Sequence, residues 1–134
     1  MSGLVKRKFF TRFTPSNDGA GAWTKPSGVT IVWIECIGGG GAGGGGEAAN
    51  IDSAHYGGGG GGGGAYSFAV FNAADLPNTL DIVVSGAATG GTGGTAANNT
   101  TRVPGTDGNS GDPSYVDIPS GGTDAGKVIV RAYG

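Results

Sequence analysis

The chain has 134 residues, enough for one small domain, and 32 of them are glycine, about a quarter of the chain against a usual share of roughly 7%. Only six prolines and no strict G-X-Y period exclude collagen, and 13% charged residues are too few for a solvated, self-repelling disordered chain. The net charge of −2 gives no reason to expect a nucleic-acid partner.

Residues 1–14 read as an N-terminal arm or edge strand, and residues 15–134 as one glycine-rich β domain. The first twelve residues carry charges and no apolar core segment, so no signal peptide is expected. No run approaches the ~20 apolar residues of a membrane helix. The expectation is a soluble chain, made in the cytoplasm, with no membrane insertion. Within the arm Lys6, Arg7, Lys8 and Arg12 cluster among Phe9, Phe10 and Phe13. Exposed phenylalanines need a cover, so this segment reads as a docking arm for an acidic protein neighbour. A solvated edge strand and a nucleic-acid contact are the alternatives.

"VTIVWIECI", residues 29–37, is apolar at nearly every position, the pattern of a strand covered on both faces. Its Cys36, the single cysteine, reads as a buried, inert thiol. "AYSFAVF" (65–71), "TLDIVVS" (79–85), "YVDI" (115–118) and "KVIVRAY" (127–133) read as further strands. Leu80, Ile82 and Val84 share one face of the third of these five segments. Val128, Val130 and Ala132 share one face of the last. Residues 72–75, "NAAD", make at most one helical turn. Pro77-Asn78 and Gly121-Gly122 supply turns.

The glycine runs connect these strands. Residues 38–46 leave one strand, 57–64 enter the next, 86–95 leave the third, and 105–111 precede the fourth. A lone glycine run loses much backbone entropy and buries nothing. Four runs in one small chain suggest that they meet as polyglycine-II helices, which have three residues per turn and no internal hydrogen bonds. Without Cβ atoms such helices can lie side by side and satisfy their N–H and C=O groups laterally. Eight residues at ~3.1 Å rise span about 25 Å, enough to cross a small domain. Gly60, mid-run, is expected to be packed too closely to accept a valine. The fold class is therefore all-β, a small β-sandwich-like domain with packed polyglycine-II helices; floppy surface loops are the alternative.

Candidate chemistry is sparse. Residues 37–46 contain Gly-x-Gly-x-x-Gly after a strand, but any polyglycine run does, and no helix follows. His55, the only histidine, could pair with Cys36, yet Cys36 lies mid-strand. No two of the ten acidic residues stand out as a glycosidase pair. Asp107, Asn109 and Asp112 could offer oxygens to calcium, but an Asp-Gly turn explains them as well. Residues 98–101 have sequon spacing without a secretory route. No enzyme activity, metal or cofactor is expected. His55, Tyr56, Asn98, Asn99 and Arg102 lie in the two stretches that break the glycine pattern with polar or bulky groups. Such loops on a rigid frame are where ligand contacts concentrate.

The order of parts resembles the glycine-rich domain of bacteriophage tail fibre and tail-tip proteins. The likeness rests on "GAWTKPSGVTIVWIECIGGGGAGGGG", residues 21–46: a Gly-x-Trp-Thr-x-Pro-x-Gly-Val element, then an apolar strand running into polyglycine. "GGGGGGGGAYSFAVF", "LPNTLDIVVSGAATGGTGG" and "GTDGNSGDPSYVDI" follow in order, so the resemblance covers residues 13–118. It implies polyglycine-II helices packed in a layer, with distal loops that carry receptor contacts. Fibre proteins of this kind append the domain to a shaft or attachment domain, and only residues 1–14 precede it here. The expected function is thus a non-enzymatic structural protein of a phage virion, as a tail fibre or tail-tip module exposed at the particle surface. A capsid or tail decoration protein is the alternative. The expected partners are other virion proteins, further copies of the chain in a trimer, and a host surface glycan or protein. Thr89, Thr92 and Thr95 recur every three residues and raise a minor alternative, an ice-binding face.

Overall fold

The computed structural model describes residues 8–48, 55–95, 102–121 and 123–134. Six strands appear among them: β1 (Gly19–Thr24), β2 (Ile31–Ile37), β3 (Tyr66–Asn72), β4 (Thr79–Val83), β5 (Ser114–Asp117) and β6 (Val128–Ala132). One turn of 3-10 helix, Ala73–Asp75, joins β3 to β4. The strands form two antiparallel sheets, a four-stranded one in the order β1-β4-β5-β6 and a two-stranded one of β2 and β3. The sheets pack face to face, and the chain is all-β.

The alternation of the strands sets the core. Leu80, Ile82, Val116, Val130 and Ala132 point inward from the larger sheet and are buried. Cys36 is buried opposite them, with Val32, Ile34, Ala69 and Phe71 of the smaller sheet packed against the same cluster. Burial pushes the Cys36 thiol above its ordinary range, so it stays protonated at neutral pH.

Strand β1 has no apolar alternation, and pattern alone does not reveal it. "GAGAWT" pairs with β4 through a register shift between Gly19 and Trp23. Gly21, at φ +63°, lends its N–H to an Asp81 carboxylate oxygen in place of a ladder bond. The Trp-Thr-Lys-Pro element that follows is a corner brace. The Lys25 ammonium donates to the carbonyls of Ala73 and Leu76, each at 2.7 Å, and so caps the 3-10 turn between the two sheets.

One expectation fails here, and of the two readings of the N-terminal segment one drops out over residues 8–14. Strand β2 is covered on one face only: Ile31, Trp33, Glu35 and Ile37 are exposed, because no layer of the described residues lies over the smaller sheet. The arm is not an edge strand over residues 8–14. It is an exposed coil to Arg12, closed by a turn in which the Thr14 N–H donates to Asn17 Oδ1 (2.6 Å).

The glycine runs do pack. Each forms an extended helix: PG1 (38–48), PG2 (56–65), PG3 (89–95) and PG4 (102–112). Their hydrogen bonds repeat every three residues, the period of polyglycine II. PG1 is the hub. Its Gly38, Gly44 and Glu47 N–H groups donate to Ala65, Gly59 and Tyr56 of PG2. Its Gly39, Ala42, Gly45 and Ala48 N–H groups donate to Asp112, Asn109, Thr106 and Val103 of PG4. Gly91 and Gly94 of PG3 donate back to Gly43 and Gly46, and Thr106 and Asn109 of PG4 donate to Thr92 and Thr89. These bonds run from 2.9 to 3.0 Å.

The close approach requires glycine at every third position. A methyl group on Gly58, Gly61 or Gly64 would overlap the carbonyl of Gly44, Gly41 or Gly38. One on Gly105, Gly108 or Gly111 would overlap that of Gly45, Ala42 or Gly39. Gly60 is different: nothing lies within 4 Å of the space its side chain would take. The expectation for Gly60 is therefore wrong in position, since PG2 is the outermost helix and only its 58, 61, 64 row faces the bundle.

Candidate functional site: the far end of the glycine bundle

All four glycine helices run away from the sandwich. PG1 begins where β2 ends, PG2 ends where β3 begins, and PG4 ends just before β5. At ~3.1 Å per residue the bundle carries the chain roughly 28 Å from Gly38 to Glu47. PG1 and PG2 lack side chains beyond a methyl group along that length, PG3 and PG4 carry short polar ones, and larger groups gather at the end.

Three side chains meet there. The Arg102 guanidinium lies 3.3 Å from a Glu47 carboxylate oxygen and 5.7 Å from the centre of the Tyr56 ring. Backbone bonds fix their origins: the Glu47 N–H donates to the Tyr56 carbonyl (2.9 Å), and Ala48 and Val103 exchange two bonds of 3.0 Å. The Glu47 side chain is 13% exposed and that of Arg102 53%. The pair therefore grades from a sheltered acid to an open cation, and among the described residues the guanidinium keeps free donors for an outside group. Tyr56 is 65% exposed, a broad ring with a hydroxyl tip.

Of the residues singled out from sequence, the structure thus brings Tyr56 and Arg102 together. His55 is exposed beside Tyr56, while Asn98 and Asn99 lie outside the described residues. Glu47 was missed, although it is the first charged residue to close the long glycine run. The notional Cys36–His55 pair is split between opposite ends of PG1 and PG2. Asp107, Asn109 and Asp112 do not form an Asp-Gly turn; they are exposed positions on PG4. Among the described residues no three His, Cys, Asp or Glu side chains stand close enough to hold a metal ion. Thr89, Thr92 and Thr95 are exposed along PG3, with the Thr92 hydroxyl 3.2 Å from that of Thr106. In the arm Lys8, Phe9, Phe10 and Arg12 are exposed, but Phe13 packs against the core and anchors the arm. Lys6 and Arg7 lie outside the described residues. No described helix is long and apolar enough to cross a membrane.

A groove of about 570 Å³ runs beside the Lys25 corner, lined by Thr24 to Val29 and by Ala73, Ala74 and Asn78. Lys25 is its one charged side chain, and it is already engaged with two carbonyls.

The fold is thus a small β-sandwich that projects a bundle of packed glycine helices. The chain belongs to the glycine-rich domain family, which it matches over residues 15–134. No curated protein and no solved structure matches the chain.

Proposed function

We propose that this is a non-enzymatic structural protein of a bacteriophage virion, a tail fibre or tail-tip module that presents the bundle end to the host surface. The observation that carries the reading is the meeting of Tyr56, Arg102 and Glu47 at the far end of the bundle, where the all-glycine-and-alanine stretches of PG1 and PG2 end. Along PG1 and PG2 the packed glycines offer backbone only, and PG3 and PG4 add short polar groups but no aromatic ring. Selective contact therefore falls to the tip, where an aromatic face suits a sugar ring and a guanidinium suits a carboxylate or phosphate. Single contacts need not be tight, because repeated copies on one particle add avidity.

Particles carrying Tyr56→Ala with Arg102→Ala should lose adsorption to the host, by roughly tenfold or more, while staying intact on heating. Unchanged adsorption would overturn the adhesin reading. A decoration protein is the second reading, favoured by the exposed Phe9 and Phe10 and the cations Lys8 and Arg12, which suit docking on an acidic neighbour. Deleting residues 1–12 should then release the protein from particles without unfolding it. The ice-binding alternative would use the Thr89, Thr92, Thr95 row, and an ice-recrystallisation assay separates it from both.

A further inference from the structure

The outer face of the β2–β3 sheet breaks the usual rule of a sandwich, in which outward positions are polar. Ile31, Trp33 and Ile37 of β2 and Tyr66, Phe68 and Val70 of β3 all point outward and are 52–68% exposed. Trp33 stacks on Phe68 with ring centres 5.5 Å apart, and Tyr66 leans on Phe68 at 6.0 Å. With an aromatic side chain worth roughly 150–250 Å², the six leave about 800 Å² open. A standard specific interface takes ≈ 800 Å² from each partner.

The register makes this face complementary to itself. Trp33 lies opposite Val70, Glu35 opposite Phe68, and Ile37 opposite Tyr66. A two-fold axis parallel to the strands, midway between two stacked sheets, exchanges the strands and keeps each level. Trp33 of one copy then faces Val70 of the other, and Tyr66 faces Ile37, large against small at both levels. Glu35 faces the Phe68 ring, so the two carboxylates do not meet, and each remains beside a Tyr66 hydroxyl. An axis perpendicular to the strands at the level of Glu35 would instead set the two Glu35 carboxylates against each other.

We propose that a second copy of this chain covers the outer face of the β2–β3 sheet, making a two-fold dimer in which Trp33 and Phe68 are the central anchors. The proposal is independent of the display role. Two stacked sheets would bury the aromatic rows at the ≈ 10 Å spacing of a sandwich interior. The N-terminal arms would stay free at the surface.

Sedimentation velocity of the full chain over a range of concentrations tests it. The native protein should sediment as a dimer. Trp33→Asp should raise the dissociation constant at least about 30-fold, as loss of a central aromatic anchor does. Its melting curve, measured where the native protein is also monomeric, should be unchanged, since Trp33 is outside the core. Phe10→Asp should leave the dimer intact. A folded native protein that stays monomeric at 100 μM-order concentrations (about 100 times a typical micromolar constant) would overturn the proposal. A trimer would overturn it too, as would association that survives Trp33→Asp or is lost with Phe10→Asp.

Discussion

A methyl group is the smallest probe of the glycine contacts. At Gly61 it would overlap the Gly41 carbonyl, and backbone on both sides leaves no soft atom to yield. Gly61→Ala should cost about 3 kcal/mol or more and lower the melting temperature by about 10 °C. Gly60→Ala, one residue away, meets open space. It should be neutral or stabilise by up to about 1 kcal/mol, because alanine has fewer unfolded conformations to lose. Differential scanning calorimetry of the two variants checks both signs. A second residue-scale effect is electrostatic. Asp117 lies directly across from Asp81 in the β4–β5 ladder. Partial burial, then the Asp81 charge, raise the Asp117 carboxyl above its ordinary value, outweighing Arg131 and its own backbone contact. A carboxyl raised on folding binds its proton more tightly in the folded state. It therefore weakens the fold when ionised, and the penalty vanishes below the ordinary value near 3.8. Asp117→Asn should raise the melting temperature at pH 7, and the gain should shrink toward zero as the pH falls to about 3.

At the scale of elements, Lys25 holds the corner where the chain passes from the small sheet to the large one. Lys25→Met keeps the aliphatic stem but removes two charge-assisted bonds to carbonyls. The expected loss is about 2 kcal/mol, read by urea denaturation with an unchanged m-value. This corner explains why Trp-Thr-Lys-Pro is followed by Gly28 at φ +78°: the chain must turn sharply before β2 starts. Five of the six strands were legible, because β-branched and aromatic runs bounded by turns leave few options. Strand β1 was not, since an irregular ladder completed by the Asp81 side chain has no period to read. The exposed face of β2 was also misjudged. A continuous apolar run shows that both faces want cover, and it does not show which cover lies within the same chain.

At the scale of the molecule, the sandwich serves as a base and the glycine bundle as a spar. The bundle was legible in outline because four glycine runs in one small chain can satisfy one another's backbones laterally and so offset the entropy that solvated loops would keep. Its depth was not read: Gly105, Gly108 and Gly111 recur every third residue and mark the row turned toward PG1, but the stretch reads from sequence as a calcium candidate or an Asp-Gly turn. An unbroken run such as 57–64 carries no such mark, which is why Gly60 was mistaken for a contact. Of the tip, Tyr56 and Arg102 stood out as breaks in the glycine pattern. Their meeting with Glu47 depends on the lateral register of PG1, PG2 and PG4, which no local sequence feature encodes.

Amide hydrogen exchange, resolved by residue, tests most directly whether the glycine runs are a packed frame or loops. The Gly39, Ala42, Gly44 and Gly45 amides each donate to a neighbouring helix, so they should exchange at least about 100-fold more slowly than in an unfolded chain. Gly59, Gly60, Gly62 and Gly63 have no acceptor among the described residues and should exchange fast, giving adjacent glycine runs opposite behaviour. Uniformly fast exchange across PG1 and PG2 would contradict the packed bundle and reduce the runs to loops.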